Sequence, residues 1–516
     1  MSRRAEGAVL AAIVVVALVR VAATHHVFSA VIDEPVHIAA GYEWLVKHSN
    51  AFDPVHPPLA RIVCALPMAQ FPPPYAADIV GAGNDLLYTR GHYVHNLGLA
   101  RRGNLLFLLV AMLCVWWWAR RTYSAGTALL AVAFLATLPP ILGHAGVATT
   151  DMAVAATLPL ALIAFDRWLE RRDSVSAVLL GLALGAGLLS KFSFLAFFPL
   201  CAAALLVARA RTLRSARGLT TIAIALIVAF VVLWAGYFFT FDTMGRVHPA
   251  TAGAPLSDVR LPAPLYWAGL RVVKIHDEVG QLSFLLGRYS ERGFWYYFPG
   301  LFFYKTPIPF LVLMIAGIVV IARTRRGLEF VLMPLALMLF VLTSHINIGI
   351  RHILPIYPPL CVVAAVGAME LWRRTKVQRA AAVLLMAWLF VGVELAHPDY
   401  LAWFNEFAGR HPERIAVDSN LDWGQDILRL GRAARRHRIE RGAALVSATA
   451  HLNTHGFPAY GAPEPFKPMT GWIAVSETEL ALDPATPKGG YDWLTKDRPY
   501  ERVGKSIRLY DVRTGG

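Results

Sequence analysis

Two adjacent carboxylates, in the stretch Val31-Ile32-Asp33-Glu34-Pro35-Val36-His37, follow directly on the first long apolar run of the chain. A carboxylate so placed can take a proton from an attacking hydroxyl or ligate a cation. The plain structural alternative is a helix start. Proline is favoured in the first helical turn, and an acidic residue before it can cap the free N–H groups. That explains one carboxylate and leaves the second without a reason. A helix N-terminus also keeps a carboxylate ionised, and ionisable groups near membrane depth tend to be functional. Asp33 and Glu34 are therefore candidate catalytic groups, with a helix predicted over Val36 to Lys47.

Further on, Phe52-Asp53-Pro54-Val55-His56-Pro57-Pro58-Leu59-Ala60-Arg61 contains two consecutive prolines. They fix an extended turn from which a helix can start, and His56 is either part of that rigid corner or a substrate contact. Asp151, in Ala148-Thr149-Thr150-Asp151-Met152, is a further carboxylate in a short connection, where the alternative is a helix cap. Isolated cations can hold an anionic group of a substrate. Lys191 in LLSKFS, Lys305 in FYKTPIPF, and Arg351 and His352 in NIGIRHILP are the candidates. The structural alternative for each is snorkelling to the lipid headgroups. No cofactor is assigned. A divalent metal is chemically admissible, with Glu34, His37 and Asp151 as candidate ligands beside Asp33 and His56, although no spacing here is a recognised metal motif. Asp277-Glu278 reads as structural or acceptor-facing, and Phe294 to Phe298 as an aromatic cluster at the membrane interface. No Walker A segment occurs, so ATP is not the expected energy source.

The elements that must position these groups are membrane helices. The chain has 516 residues, 56% hydrophobic and 16% charged, with mean hydropathy +0.50. A soluble chain of this length needs more polar surface. The fold expected is mainly α, a polytopic membrane protein with about eleven spans, each near the ~20 residues a crossing requires. They are predicted at 8–24, 104–119, 124–141, 152–169, 175–190, 193–208, 218–239, 307–322, 328–343, 353–371 and 380–396. The formal charge of +15 would suit nucleic acid, but its placement does not. Arg3 and Arg4, Arg120 and Arg121, Arg167 to Arg172, Arg209 to Arg217, Arg323 to Arg326, and Arg373 to Arg379 fall in every second short connection. This is the positive-inside pattern. It predicts a cytoplasmic N-terminus, an outside C-terminus, and no nucleic-acid partner. The N-terminal run is expected to remain as an uncleaved anchor. Four cysteines form neither a disulfide framework nor a CxxC site.

On this topology residues 1–396 form the transmembrane domain, with large outer loops at 25–103 and 240–306. Residues 397–516 form a small extracytoplasmic α/β domain. Its expected strands are Ile415 to Val417, Ala444 to Ser447, Trp472 to Val475 and Ile507 to Val512, with a helix from Gly424 to Arg438. The candidate residues all fall on the outer side.

The pair DEPVH with GYEWL behind it, followed by FDPVHPPLAR, resembles the first outer loop of the protein O-mannosyltransferase family, family 39 of the GT-C membrane glycosyltransferases. That family carries an Asp-Glu pair after its first span and a His-Pro-Pro-Leu segment downstream. The tail segment DSNLDWGQDILRL, residues 418–430, resembles bacterial phospholipid-carrier-dependent members and not the β-trefoil insert of the eukaryotic enzymes. The resemblance implies a GT-C fold and transfer of a single sugar from a polyprenyl-phosphate donor to a glycan, lipid or protein acceptor. It places the active site on the periplasmic face of a bacterial inner membrane. It implies Asp33 as general base, Glu34 orienting the acceptor or sharing a cation, and Asp151 as the second acidic position. Lys191 and Arg351 take the positions that contact the lipid phosphate. A single direct displacement predicts inversion at the anomeric carbon. The alternative is a transporter or flippase for lipid-linked sugars. It predicts ionisable residues in mid-span and repeated halves, and neither pattern is seen. A non-enzymatic receptor would leave the Asp-Glu pair free to vary.

Overall fold

The computed structural model describes residues 2–50, 52–210, 220–482, 489–496 and 498–512. Arg211, Arg214 and Arg217 of the basic connections lie outside the described residues.

The chain opens with α1 (Arg3–Thr24), followed in the first long connection by α2 (Asp33–Tyr42), α3 (Leu59–Ala65) and α4 (Ile79–Tyr88). Then come α5 (Tyr93–Thr122), α6 (Ala125–Leu135), α7 (Pro139–Ala145), α8 (Asp151–Arg171), α9 (Ser174–Leu188), α10 (Ser193–Arg209) and α11 (Thr221–Gly236). The second long connection holds α12 (Met244–Val247), α13 (Pro264–Val279) and two short hairpins, β1 (Phe241–Thr243) with β2 (Arg260–Pro262) and β3 (Ser283–Leu285) with β4 (Arg288–Ser290). Five more helices complete the apolar part: α14 (Tyr297–Lys305), α15 (Ile308–Thr324), α16 (Glu329–Val341), α17 (Tyr357–Arg373) and α18 (Lys376–Ala396).

Helices occupy all eleven segments read from the sequence as spans. Among the described residues, five helical stretches are long and apolar enough to cross a membrane alone, and up to seven if each bent pair counts as one span. The chain is an integral membrane protein. The bends have proline at their root. Pro139 and Pro140 start α7 at 63° to α6, and Pro307 separates α14 from α15 at 112°. Helix starts follow local chemistry. Asp173 accepts from Ser176 N at 2.7 Å ahead of α9, and Thr375 with Gln378 forms a capping box ahead of α18. Close helix contact in lipid needs small residues. A Cβ on Gly317 of α15 would lie 1.9 Å from Val363 O of α17, and one on Gly367 would lie 2.1 Å from Leu313 O.

The helix predicted over Val36 to Lys47 begins earlier, at Asp33, and ends in a π turn over Glu43–Lys47. Asp33 does not cap it, since no side-chain cap bond is present there. Asp277 lies in α13 and not in an open loop. Its carboxylate accepts from His345 N at 2.9 Å and Ser344 Oγ at 3.2 Å. In the aromatic cluster, Tyr297 and Phe298 are buried in the first turn of α14, while Trp295 is exposed.

The tail carries α19 (Ile427–His437) and five strands, β5 (Gly442–Leu445), β6 (Ala459–Gly461), β7 (Gly471–Ser476), β8 (Glu501–Val503) and β9 (Ile507–Val512). Their spatial order is β6-β5-β7-β9-β8. β5 is parallel to both neighbours, and β9 is antiparallel to both of its own, with Ile473 opposite Tyr510. The expected strand at Ile415 to Val417 is absent. Pro412 and Asp418 each start a short 3-10 turn on either side of it, and Val417 packs with Phe284, Ala402 and Leu421. The core under α19 is continuous with the first long connection and the start of α5: Ile38, Tyr42, Leu86 and Leu97 pack in one cluster with Ile427, Leu430 and Phe457.

Candidate active site

α2 and α8 each start with an aspartate, and the two meet at a guanidinium from a third element. Arg351 follows Gly349 and Ile350 in the 3-10 turn Ile350–Ile356 that leads into α17. Its Nη1 donates to Asp33 Oδ2 at 2.7 Å and lies 4.0 Å from Asp151 Oδ2. Lys191, in the turn between α9 and α10, donates to Asp151 Oδ1 at 2.5 Å, and Thr149 Oγ1 donates to Asp151 Oδ2 at 3.2 Å. Four of the residues singled out from sequence thus converge: Asp33, Asp151, Lys191 and Arg351. Burial would raise the Asp33 carboxyl. The Arg351 guanidinium, joined by His37, outweighs this and holds Asp33 below the ordinary carboxylate value. His352 is next to Arg351, half-buried, with its ring 6.2 Å from Phe298.

The tail completes the site. The Trp423 ring lies under the Arg351 guanidinium, 4.3 Å from its centre. Asn420 Oδ1 accepts from Ile350 N at 3.0 Å, and Ser419 Oγ donates to Ile348 O at 2.7 Å. A Cβ on Gly349 would strike Ser419 Oγ, so glycine allows the two turns to touch. Asp418 starts this turn, with left-handed backbone (φ 55°) and Ser419 N donating to its Oδ1. Burial pushes the Asp418 carboxyl up to about 6, partly offset by Arg351. Four residues on, burial also pushes Asp422 up to about 7.

The remaining candidates fall elsewhere. Glu34 is fully buried. Arg101 of α5 donates to both its oxygens, at 2.8 and 2.7 Å, and Ala148 N and Val31 N donate at 2.7 and 2.8 Å. Its hydrogen-bonding capacity is spent on protein, so it has no room for an acceptor or a cation. Lys305 is also buried. It donates to Leu401 O at 2.8 Å and Asn420 O at 2.7 Å over the Phe404 ring, which makes it a clamp on the tail segment and not a phosphate contact. His56 belongs to a different group: its Nδ1 is 2.9 Å from Asp53 Oδ2, and its ring meets His37 edge to face at 4.9 Å. The metal set Glu34, His37 and Asp151 is therefore not brought together. Glu34 is held by Arg101 and Asp151 by Lys191.

Arg101 and the Asp418–Trp423 segment are absent from the sequence-derived site. Arg101 sits in a basic pair, Arg101-Arg102, that looks like any charged helix turn. Asp418, Asp422 and Asp426 recur every four residues around a tryptophan, which is a signal, but nothing in one dimension ties them to residue 351.

Residues 96–234 match the family described as dolichyl-phosphate-mannose-protein mannosyltransferase. No curated protein matches the chain significantly. Among solved structures, ArnT from Cupriavidus metallidurans bound to undecaprenyl phosphate aligns with 97% of this chain and 97% of its own, at 15% identity and TM-score 0.53. Its apo state aligns over the same shares at 16% identity and TM-score 0.52. The Archaeoglobus fulgidus oligosaccharyltransferase aligns with 85% of this chain and 59% of its own, at 13% identity and TM-score 0.51. These likenesses establish the fold, which is that of the GT-C glycosyltransferases.

Proposed function

We propose that this GT-C-fold membrane protein is a glycosyltransferase that moves a single sugar from a polyprenyl phosphate to a hydroxyl acceptor on the extracytoplasmic face, with inversion. The observation that carries the proposal is the meeting of Asp33, Asp151, Lys191 and Arg351 at the outer ends of separate helices. Donor phosphate is held by Arg351 and Lys191. Arg351 has a spare donor for it, since its buried Nε has no partner.

The ion pair between Arg351 and Asp33 makes the base conditional. While paired, Asp33 is a weak proton acceptor. The donor's phosphodiester, a monoanion, competes for Arg351 as it binds, and Asp33 is released with higher proton affinity. The acceptor oxygen then bonds to the anomeric carbon as the bond from that carbon to the phosphate oxygen breaks. The phosphate leaves with the electron pair, and the acceptor proton passes to Asp33. Carboxylates at this position also stabilise the positive charge of an oxocarbenium-like transition state. Asp151 positions Lys191. The acceptor class, the sugar and the orientation in the membrane are part of the same proposal, which favours the periplasmic face of a bacterial inner membrane with the N-terminus inside.

The test is transfer from a panel of radiolabelled polyprenyl-phosphate sugars by the purified chain and its Asp33→Asn variant. Release or transfer of sugar by the wild type, lost in the variant, supports the assignment. No turnover of any donor by the wild type counts against it.

A further inference from the structure

The first long connection holds a group of ligating side chains that the transfer step leaves unused. His37, Asp53 and His56 each offer one ligand atom, and these atoms all lie within 4.8 Å of one another. We infer that His37, Asp53 and His56 bind a divalent transition-metal ion of the borderline class, for which Zn²⁺ is the probe.

Two imidazoles and a carboxylate are the donor set such an ion prefers. His37 is 2% exposed, and its Nδ1 has no hydrogen-bond partner. A buried polar atom left unpaired costs about 1–3 kcal/mol, so a nitrogen with no partner among the described residues is free to take one. The His56–Asp53 pair is nearly at metal spacing already. Two ligands at about 2.0–2.1 Å on a tetrahedral ion stand roughly 3.3 Å apart, against 2.9 Å between His56 Nδ1 and Asp53 Oδ2. An ion can replace the proton between them with an opening of a few tenths of an ångström. His37 must approach somewhat more.

The corner that carries these ligands has its own support. Arg61 fixes this corner, with Nη1 3.2 Å from Asp53 Oδ2 and 2.9 Å from Asp53 O, in the manner of an outer-shell partner. Its positive charge works against a cation and sets the affinity at a modest level. Three protein ligands leave a fourth position open. His37 is one turn beyond Asp33 on α2, so the ion would place charge beside the proposed base and pin the 53–58 corner to that helix.

The experiment uses the untagged full-length chain in nanodiscs, stripped with EDTA and titrated with Zn²⁺ alone by calorimetry. Co²⁺ serves as an optical substitute whose visible absorption reports four-coordination. One ion per chain is expected, with affinity reduced at least tenfold in His37→Gln and in His56→Gln. The melting temperature should rise with Zn²⁺ in the wild type and in neither variant, which separates loss of the site from loss of the fold. Wild type that takes up no stoichiometric ion overturns the inference, and so do folded variants that bind as wild type does. Neither result depends on whether the chain transfers sugar.

Discussion

Asp33 and Glu34 are neighbours in the chain and inhabit opposite regimes. Glu34 points into protein, is 0% exposed, and meets four N–H groups. Asp33 points to the Arg351 cluster, its side chain 29% exposed, with one ion pair to a guanidinium whose Nε has no partner among the described residues. Adjacent residues on a helix do not face the same way, and here a rotation of about 100° separates a joint from a site. A saturated buried carboxylate holds structure. A carboxylate with one exchangeable partner can do chemistry.

Substitutions at the two positions should break in different currencies. Asp33→Asn is expected to lower sugar transfer by about 10²–10⁴-fold, the usual worth of a positioned base, with a smaller loss of thermal stability than the matching change next door. Transfer assays run beside melting curves in detergent check both halves. Glu34→Gln leaves the Arg101 charge buried and unpaired, which costs about 3–5 kcal/mol. The expected result is a large drop in melting temperature and in yield of folded protein. If Glu34→Gln keeps wild-type stability but loses turnover, the contrast between the two carboxylates is wrong.

Arg351→Lys sharpens the comparison from the other side. It keeps the charge and loses the planar fork and the stack on Trp423. A cation–π contact is worth about 0.5–2 kcal/mol, so the KM for donor should rise roughly 2- to 30-fold with kcat less affected. The smallest effect is expected at Asp418. Its carboxyl is raised to about 6 by burial, so the folded state binds its proton more tightly than the unfolded chain does. The contribution to stability is present below the unfolded pKa and is lost as pH rises through about 6. Asp418→Asn, which mimics the protonated form, should therefore melt higher than wild type at pH 8, and the gap should close towards pH 4. Urea unfolding at several pH values measures it. An equal gap at all pH values would remove Asp418 from the charged cluster.

The tail shows where a one-dimensional pattern fails. Ile415 to Val417 is an apolar run of the kind a short strand has, yet it is bent between two 3-10 turns because Pro412 and Asp418 bracket it. The same turns carry Ser419 and Asn420 onto the Arg351 loop. Lys305 looked like a free outer cation and is a buried clamp on that segment. Its role depends on carbonyls about a hundred residues away, which no local spacing encodes.

What the amino-acid order determined by itself is the set of apolar helices and the side of the bundle on which the odd charges collect. Hydrophobic length and proline position are local properties, and lipid leaves the backbone few alternatives to helix. Asp33, Asp151, Lys191 and Arg351 could thus be placed on one face before their contacts were known. Only the tertiary structure decided which carboxylate turns outward, that Arg101 consumes Glu34, that Trp423 supports Arg351, and that His37 joins Asp53 and His56 in place of Glu34 and Asp151. Each of those depends on side-chain direction and on elements brought together from distant parts of the chain, and packing fixes both.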